Sequence, residues 1–175
     1  MADSVKPTIL QIDGYTMRLF CISDLDTLAA IWADVEVTRF LPSHDMPIPK
    51  ADVENLVSFI DHWKVQGYGI WAIERDTSSA IAGYCGLCYL NELDEVELLY
   101  GLAKSYWGRG ITTQAAKASI SYGFDVAALD KIIAMVLPEN QASRRVIEKA
   151  GLDYEKTVHM FDLDVLYYSL SRNAA

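Results

Sequence analysis

The sequence predicts one α+β (mixed α/β) domain built around a mixed sheet, and three observations carry that expectation. Segments of strand-like and helix-like apolar period follow one another in the order β-β-α-α-β-β-β-α-β-α-β-β. A strand, helix, strand unit from Glu95 to Leu137 lies at the centre, placing a parallel pair inside a sheet otherwise joined by short connections. The 175 residues hold no linker, repeat or low-complexity tract and suit a single core, with residues 1–7 expected as a flexible tail.

Taken in order, Thr8 to Ile12 and Tyr15 to Ile22 read as a hairpin on the turn Asp13-Gly14. Ser23 reads as an N-cap, with Asp24 and Asp26 loading the first turn of a helix that runs to about Asp34. Arg39 to Pro49 carries three prolines and no period, so a loop is expected there. A second helix follows over Ala51 to Lys64, where Val53, Leu56, Val57, Ile60 and Trp63 share a stripe and Gly67 marks the stop. Three strands come next: Tyr68 to Glu74, Ala80 to Leu90 and Glu95 to Leu102, most simply an antiparallel meander. The alanine- and serine-rich stretch Gly110 to Ala127 is helical, and Lys131 to Leu137 reads as a buried strand before Pro138. A last helix spans about Gln141 to Ala150 and stops at Gly151, and Tyr154 to Leu170 alternates as two final strands.

Composition narrows the function classes. About half the residues are apolar (51%), and no run approaches the ~20 apolar residues of a membrane span. The start, MADSVKPT, lacks the basic-then-apolar profile of a secretory signal, which points to a cytoplasmic protein. Cys21, Cys85 and Cys88 are too few for a disulfide framework. A net charge of −9 disfavours broad nucleic-acid binding and would steer cationic partners inward. Cys85 and Cys88 form a Cys-x-x-Cys, but positions three apart on a strand face opposite ways and no second ligand pair accompanies them, so no metal is expected.

The chemistry is sought at the carboxyl ends of the strands. Between Leu102 and the helix after Gly110 lies Ala103-Lys104-Ser105-Tyr106-Trp107-Gly108-Arg109-Gly110-Ile111-Thr112-Thr113. Glycines two residues apart allow a sharp turn with exposed N–H groups, and the helix start adds free amides and a positive dipole end, a cradle for phosphate. A lone Gly-x-Gly reads equally as a tight turn. No Gly-Lys-Ser/Thr follows and the third glycine of a dinucleotide fingerprint is missing, which excludes both nucleotide motifs.

The run Val96-Glu97-Leu98-Leu99-Tyr100-Gly101-Leu102 through Tyr106-Trp107-Gly108-Arg109-Gly110-Ile111-Thr112-Thr113-Gln114-Ala115 resembles the central acetyl-CoA motif of the GNAT superfamily, especially its ribosomal-protein N-terminal acetyltransferase branch. Asn140-Gln141-Ala142-Ser143-Arg144-Arg145-Val146-Ile147-Glu148-Lys149-Ala150-Gly151-Leu152 is similar to that family's second motif, and Leu41-Pro42 is similar to its early segment. The resemblance implies a central splayed mixed sheet of about six or seven strands flanked by about four helices. The strands counted fourth and fifth in such proteins part to admit the pantetheine arm. Gly108, Arg109, Gly110, Thr112 and Thr113 would hold the pyrophosphate, with Trp107 and Ile111 in the same motif. The backbone of Tyr100, Gly101 and Leu102 would pair with the pantetheine, and Asn140 and Ser143 would contact the cofactor from the second motif. The signature departs from the family where Trp107 and Thr112 stand at its first and last positions and where Leu99-Tyr100 replaces Gly-Tyr.

Acetyl transfer from a thioester needs a neutral amine, oxyanion stabilisation and a proton for the leaving thiolate. By resemblance Glu97 is the expected base and Ser143 the expected acid. Ser143 also fits the first turn of a helix capped by Asn140. Tyr100, Tyr106 and Tyr154 are lesser acid candidates, and Asp94 and Glu95 read as solvated turn residues. The loop from Arg39 to Pro49, with His44, and the helix after it would wall the acceptor site. Asp45, Asp52, Glu54 and Asp61 there would draw a cationic amine. The expectation is an acetyl-CoA-dependent N-acetyltransferase in which a primary amine attacks directly, without metal, the acceptor a protein N-terminus and the assembly a homodimer. A small-amine acetyltransferase (polyamine, amino sugar or antibiotic) and a non-catalytic acyl-CoA-binding module are the alternatives.

Overall fold

The computed structural model describes residues 9–40, 53–160 and 162–172. The tail over 1–7, the segment Leu41-Pro42, and His44, Asp45 and Asp52 of the acceptor loop lie outside the described residues. Strands β1 (Leu10–Ile12) and β2 (Tyr15–Arg18) form the expected hairpin. β2 ends at Arg18 rather than Ile22, because Ile22–Asp24 closes into a 3-10 turn. Ser23, expected as the N-cap, lies within that turn, and the Asp24 carboxylate caps instead, accepting the Cys21 N–H at 2.8 Å. Asp24 is only 3% exposed, and Arg18 meets it with a two-pronged fork at 2.8 and 2.9 Å while also bonding Glu74. Burial alone would raise the Asp24 carboxyl, yet the bonds from Arg18 and Cys21 hold it below the usual carboxylate range.

Helix α1 (Leu25–Ala33) follows and breaks at Asp34, whose carboxylate accepts the Glu36 N–H at 2.9 Å and starts a single further turn, α2 (Val35–Thr38). That turn was not expected from the sequence. α3 (Val53–Gln66) stops at Gly67, with φ +74°. Its Trp63 packs edge-on against Trp71 and Tyr122, with centroids 4.6 and 5.7 Å away, and donates its indole N–H to the Ile70 carbonyl.

The meander is β3 (Ile70–Arg75), β4 (Ile81–Leu90) and β5 (Glu95–Leu102), antiparallel throughout as expected. Helix α4 (Ile111–Asp125) crosses to β6 (Lys131–Val136); α5 (Gln141–Ala150) then leads to the hairpin of β7 (Asp153–Met160) and β8 (Leu163–Ser171). All eight described strands join one sheet in the order β1-β2-β3-β4-β5-β6-β8-β7, two or one more than the six or seven expected, because both terminal hairpins extend it. β7 is the outer edge and mostly exposed.

Two apolar layers sandwich the sheet. Phe20, Leu28, Ile31, Trp32 and Leu56 cover one face through α1 and α3; α4 and α5 cover the other with Ala115, Ala116, Ile120 and Ile147. The small residues of α4 let it lie close on β4 and β5, and the buried Ser119 hydroxyl is satisfied by the Ala115 carbonyl at 2.9 Å.

The decisive seam lies between β5 and β6. These parallel strands share a single ladder pair, Glu97 with Ile133, and beyond it a cavity opens between them, lined by Leu98 to Leu102 of β5 and Ala134 to Val136 of β6. This is the splay the resemblance implied, here between the fifth and sixth strands of the chain.

Replacing Asp24 by Ala should cost about 2 kcal/mol, because it removes the buried carboxylate that bonds both the half-buried Arg18 and the Cys21 N–H. Since Asp24 is held low in the folded state, the stability it provides is present above its unfolded pKa and fades as pH falls through the folded value. Urea unfolding of wild type and Asp24→Ala from pH 7 down to pH 2 should show the gap closing.

Candidate active site

A cavity of about 630 Å³ fills the splay and brings most of the expected site residues together. From β5 it is lined by Glu97, Tyr100, Gly101 and Leu102; from the loop and the start of α4 by Trp107, Gly108, Gly110, Ile111, Thr112 and Thr113; from the start of α5 by Asn140 and Ser143. Tyr106 also lines it. Arg109 does not, its guanidinium lying over the Tyr106 ring at 5.6 Å. Tyr154 stands apart on β7, exposed and packed on Tyr168. Glu54 and Asp61 are exposed on α3 away from the cavity, and Asp61 pairs with Lys64 at 2.7 Å.

Side-chain alternation on β5 divides the site. Leu98, Tyr100 and Leu102 pack with the layer under α4 and α5, whereas Leu99 packs with the α1 and α3 layer. Glu97 shares its face with Leu99. The same alternation sets Cys85 and Cys88 on opposite faces of β4, with Cys88 paired to Glu97 and Cys85 to Tyr100.

Glu97 is 9% exposed at the point where β5 and β6 part. Burial pushes its carboxyl up to about 7, opposed only by the Met135 backbone N–H. A carboxyl poised near neutrality is suited to trade protons with an amine. Across the cleft the Tyr100 hydroxyl lies 2.7 Å from the Ser143 Oγ and donates to the Ser143 carbonyl at 3.2 Å, bridging β5 to α5. Burial raises the Tyr100 phenol, keeping it protonated. Ser143 is also the residue whose N–H the Asn140 carboxamide caps, at 3.1 Å, as the capping reading of that pair expects.

Gly108 and Gly110 have φ of +72° and +77°, and a Cβ at either would meet nothing within 4 Å, so backbone conformation rather than crowding demands glycine there. No side chain caps the start of α4, leaving its first amides turned to the cavity. Trp107 fixes the loop by donating its indole N–H to the Leu102 carbonyl at 2.9 Å. One of the three backbone positions expected to pair with pantetheine thus already has its carbonyl engaged. Gly101 is needed for another reason: a Cβ would lie 2.7 Å from the Tyr84 ring.

Several lining residues escaped the sequence reading. Arg145 and Lys149, four apart on α5, add positive charge to the rim, and their spacing on one helical face was the available signal. Glu36 and Val37 of α2 line the opposite wall too, beside Arg39 and Phe40 of the loop expected to wall the acceptor site. Glu95, read as a solvated turn residue, is instead bound to Lys131 at 2.8 Å and to the Tyr167 hydroxyl at 2.6 Å. Asp94 is indeed in a turn, where it accepts from Tyr89.

The cavity thus brings together a free helix N-terminus, two left-handed glycines and a parted strand pair with a buried carboxylate. The family model for the acetyltransferase (GNAT) domain matches residues 15–153. The chain belongs to the GNAT family of N-acetyltransferases. It is 29% identical over 177 residues to the N-acetyltransferase p20 of Bacillus licheniformis, covering 92% of this chain and 94% of that protein. A 33% match to YkkB of Bacillus subtilis spans 62% of that protein's length. Among solved structures, the ribosomal-protein-S5-alanine acetyltransferase from Vibrio fischeri superimposes with TM-score 0.76 at 20% identity, over 95% of this chain and 97% of that one. The spermidine N-acetyltransferase from Vibrio cholerae, in complex with CoA and spermine, gives 0.75 at 18%, over 92% and 97%. At these identities the structures establish the GNAT fold.

Because Glu97 is held above its unfolded pKa, its contribution to stability is full below about pH 4.5 and is lost as pH rises through about 7. Glu97→Gln should flatten that decline, as read by denaturant midpoints between pH 4.5 and 8.

Proposed function

We propose that this protein transfers the acetyl group of acetyl-CoA to a primary amine by direct attack in a ternary complex, and that Glu97 is the base. The observation that carries the reading is the position of Glu97: buried at the apex of the splay, near-neutral in pKa, and on the opposite sheet face from Tyr100. The carrier would bring an activated acetyl thioester. The first amides of α4, with Gly108, Gly110, Thr112 and Thr113, are arranged to hold its pyrophosphate, and Arg145 and Lys149 stand where they would meet further negative charge. The incoming amine would approach from the wall of Glu36, Arg39 and Phe40 and give its proton to ionised Glu97, which suits an alkyl ammonium of pKa about 10.4 better than water alone would. On the other face the Tyr100 and Ser143 hydroxyls, 2.7 Å apart, supply the hydrogen bond and proton for the departing thiolate. Asn140 holds Ser143 in place by capping α5.

For the acceptor we retain a protein N-terminus, in the manner of the ribosomal-protein branch, supported by the motif resemblance. A small amine is the second reading, and the spermidine acetyltransferases among the similar proteins favour it equally. Cytoplasmic residence and a homodimer through the open edge of β7 belong to the same reading. No described helix is long and apolar enough to cross a membrane.

If Glu97 is the base, kcat/KM should rise with pH and level off above about 7, since the carboxylate must be ionised. Glu97→Gln should lower kcat roughly 100-fold and remove that rise. Thiol release measured on peptide and polyamine panels tests this; wild-type rates in the variant would remove Glu97 from the mechanism. Gly110→Ala should raise the Kd for CoA about 10-fold by calorimetry, as ~1.4 kcal/mol of left-handed strain disturbs the loop.

A further inference from the structure

We propose that Glu95, Lys131 and Tyr167 form a positioning clamp that sets how far β5 and β6 stand apart at Glu97. The proposal rests on the reading of Glu97 as the base. The seam it would hold is a weak one: β5 and β6 share one ladder pair, whereas β4 and β5 share eight and β6 and β8 share six. Stepping two residues back along both strands from Glu97 and Ile133 puts Glu95 opposite Lys131, on the face that carries Glu97. Their side chains meet there, Lys131 Nζ to Glu95 Oε1 at 2.8 Å. Tyr167 reaches over from β8, accepting from Lys131 at 2.8 Å and donating to Glu95 Oε2 at 2.6 Å, so three strands are tied at the closed end of the cleft. None of the three residues lines the cavity. They touch no substrate and act through Glu97.

The charged and titratable groups around Glu97 come from every element packed there. Cys88 faces it from β4, Glu95 shares its face on β5 while Tyr100 lies on the other face, Lys131 comes from β6 with the Met135 N–H, and Tyr167 from β8, over whose ring Lys156 of β7 lies at 4.9 Å. Glu36 and Arg39 stand across the cavity. Within this set Glu95 and Lys131 are one anion and one cation held to each other and to Tyr167, so the clamp acts on Glu97 by position.

The experiment uses the full chain with Glu95→Gln, Lys131→Met, the double variant and Tyr167→Phe, reading the Glu97 carboxyl by carbon NMR titration and the β5–β6 amides by hydrogen exchange. Each of the four should lower the Glu97 midpoint towards the ordinary carboxylate range, because a looser seam readmits water to a carboxyl that burial holds up, with the acid limb of the rate profile moving the same way. All four should quicken exchange at Ile133 and Met135 at least 10-fold. Turnover should fall more than KM for acetyl-CoA changes. Midpoints that stay put sink the positioning of Glu97, and unchanged exchange sinks the clamp. Because titration and exchange need no turnover, a wild type that acetylates no amine overturns the reading of Glu97 as base while these two measurements still judge the clamp.

Discussion

The structure depends on how little holds β5 to β6. A parallel pair inside a sheet is normally zipped along its length, but here the ladder is reduced to Glu97 and Ile133 and the strands then part. Parting leaves backbone polar groups that must find partners elsewhere, and it opens the sheet's own interior as a cavity. The groups nearest the opening show how the chain meets that demand. The Leu102 carbonyl takes the Trp107 indole, the Met135 N–H turns to Glu97, and the Tyr100 hydroxyl crosses to Ser143. The same opening explains the raised carboxyl of Glu97, because a residue on a splayed strand is removed from water without gaining a cation of its own.

Much of the architecture was legible because its punctuation is local. β5 and α5 begin and end at the residues the sequence indicates, where an acidic turn, Asn140 and Gly151 act within a few positions of the boundary. Gly108 and Gly110 announced a left-handed turn, and the backbone bears it out. Failures came where the deciding partner is distant. Glu95 looks solvated beside Asn91 to Asp94, and only its contact with Lys131, 36 residues on, makes it structural. Ser23 and Asp24 are equal capping residues by local preference, and the distant Arg18 with the Cys21 N–H decides for the Asp24 carboxylate. The hydrogen bond between Tyr100 and Ser143 spans 43 residues and has no trace in either motif alone.

The residues that the two motifs single out do line one cavity, whereas the wall facing them was less legible. Phosphate recognition by helix N-termini and glycines is a backbone property that short motifs encode directly. An acceptor wall is made of side chains from separate elements, and here α2 supplies it through a single turn that Asp34 starts. Nothing in the periodicity of four residues distinguishes such a turn from loop.

The four tryptophans differ in a way that has an optical consequence. Trp32, Trp63 and Trp71 are buried, the last two stacked edge-on in the core, whereas Trp107 is 44% exposed with its indole fastened to the end of β5. Emission from the first three follows the integrity of the core. Trp107 sits on the glycine loop at the cavity mouth, so it is an intrinsic fluorophore for occupancy of the cleft, red-shifted relative to the others and separable from them by a soluble quencher.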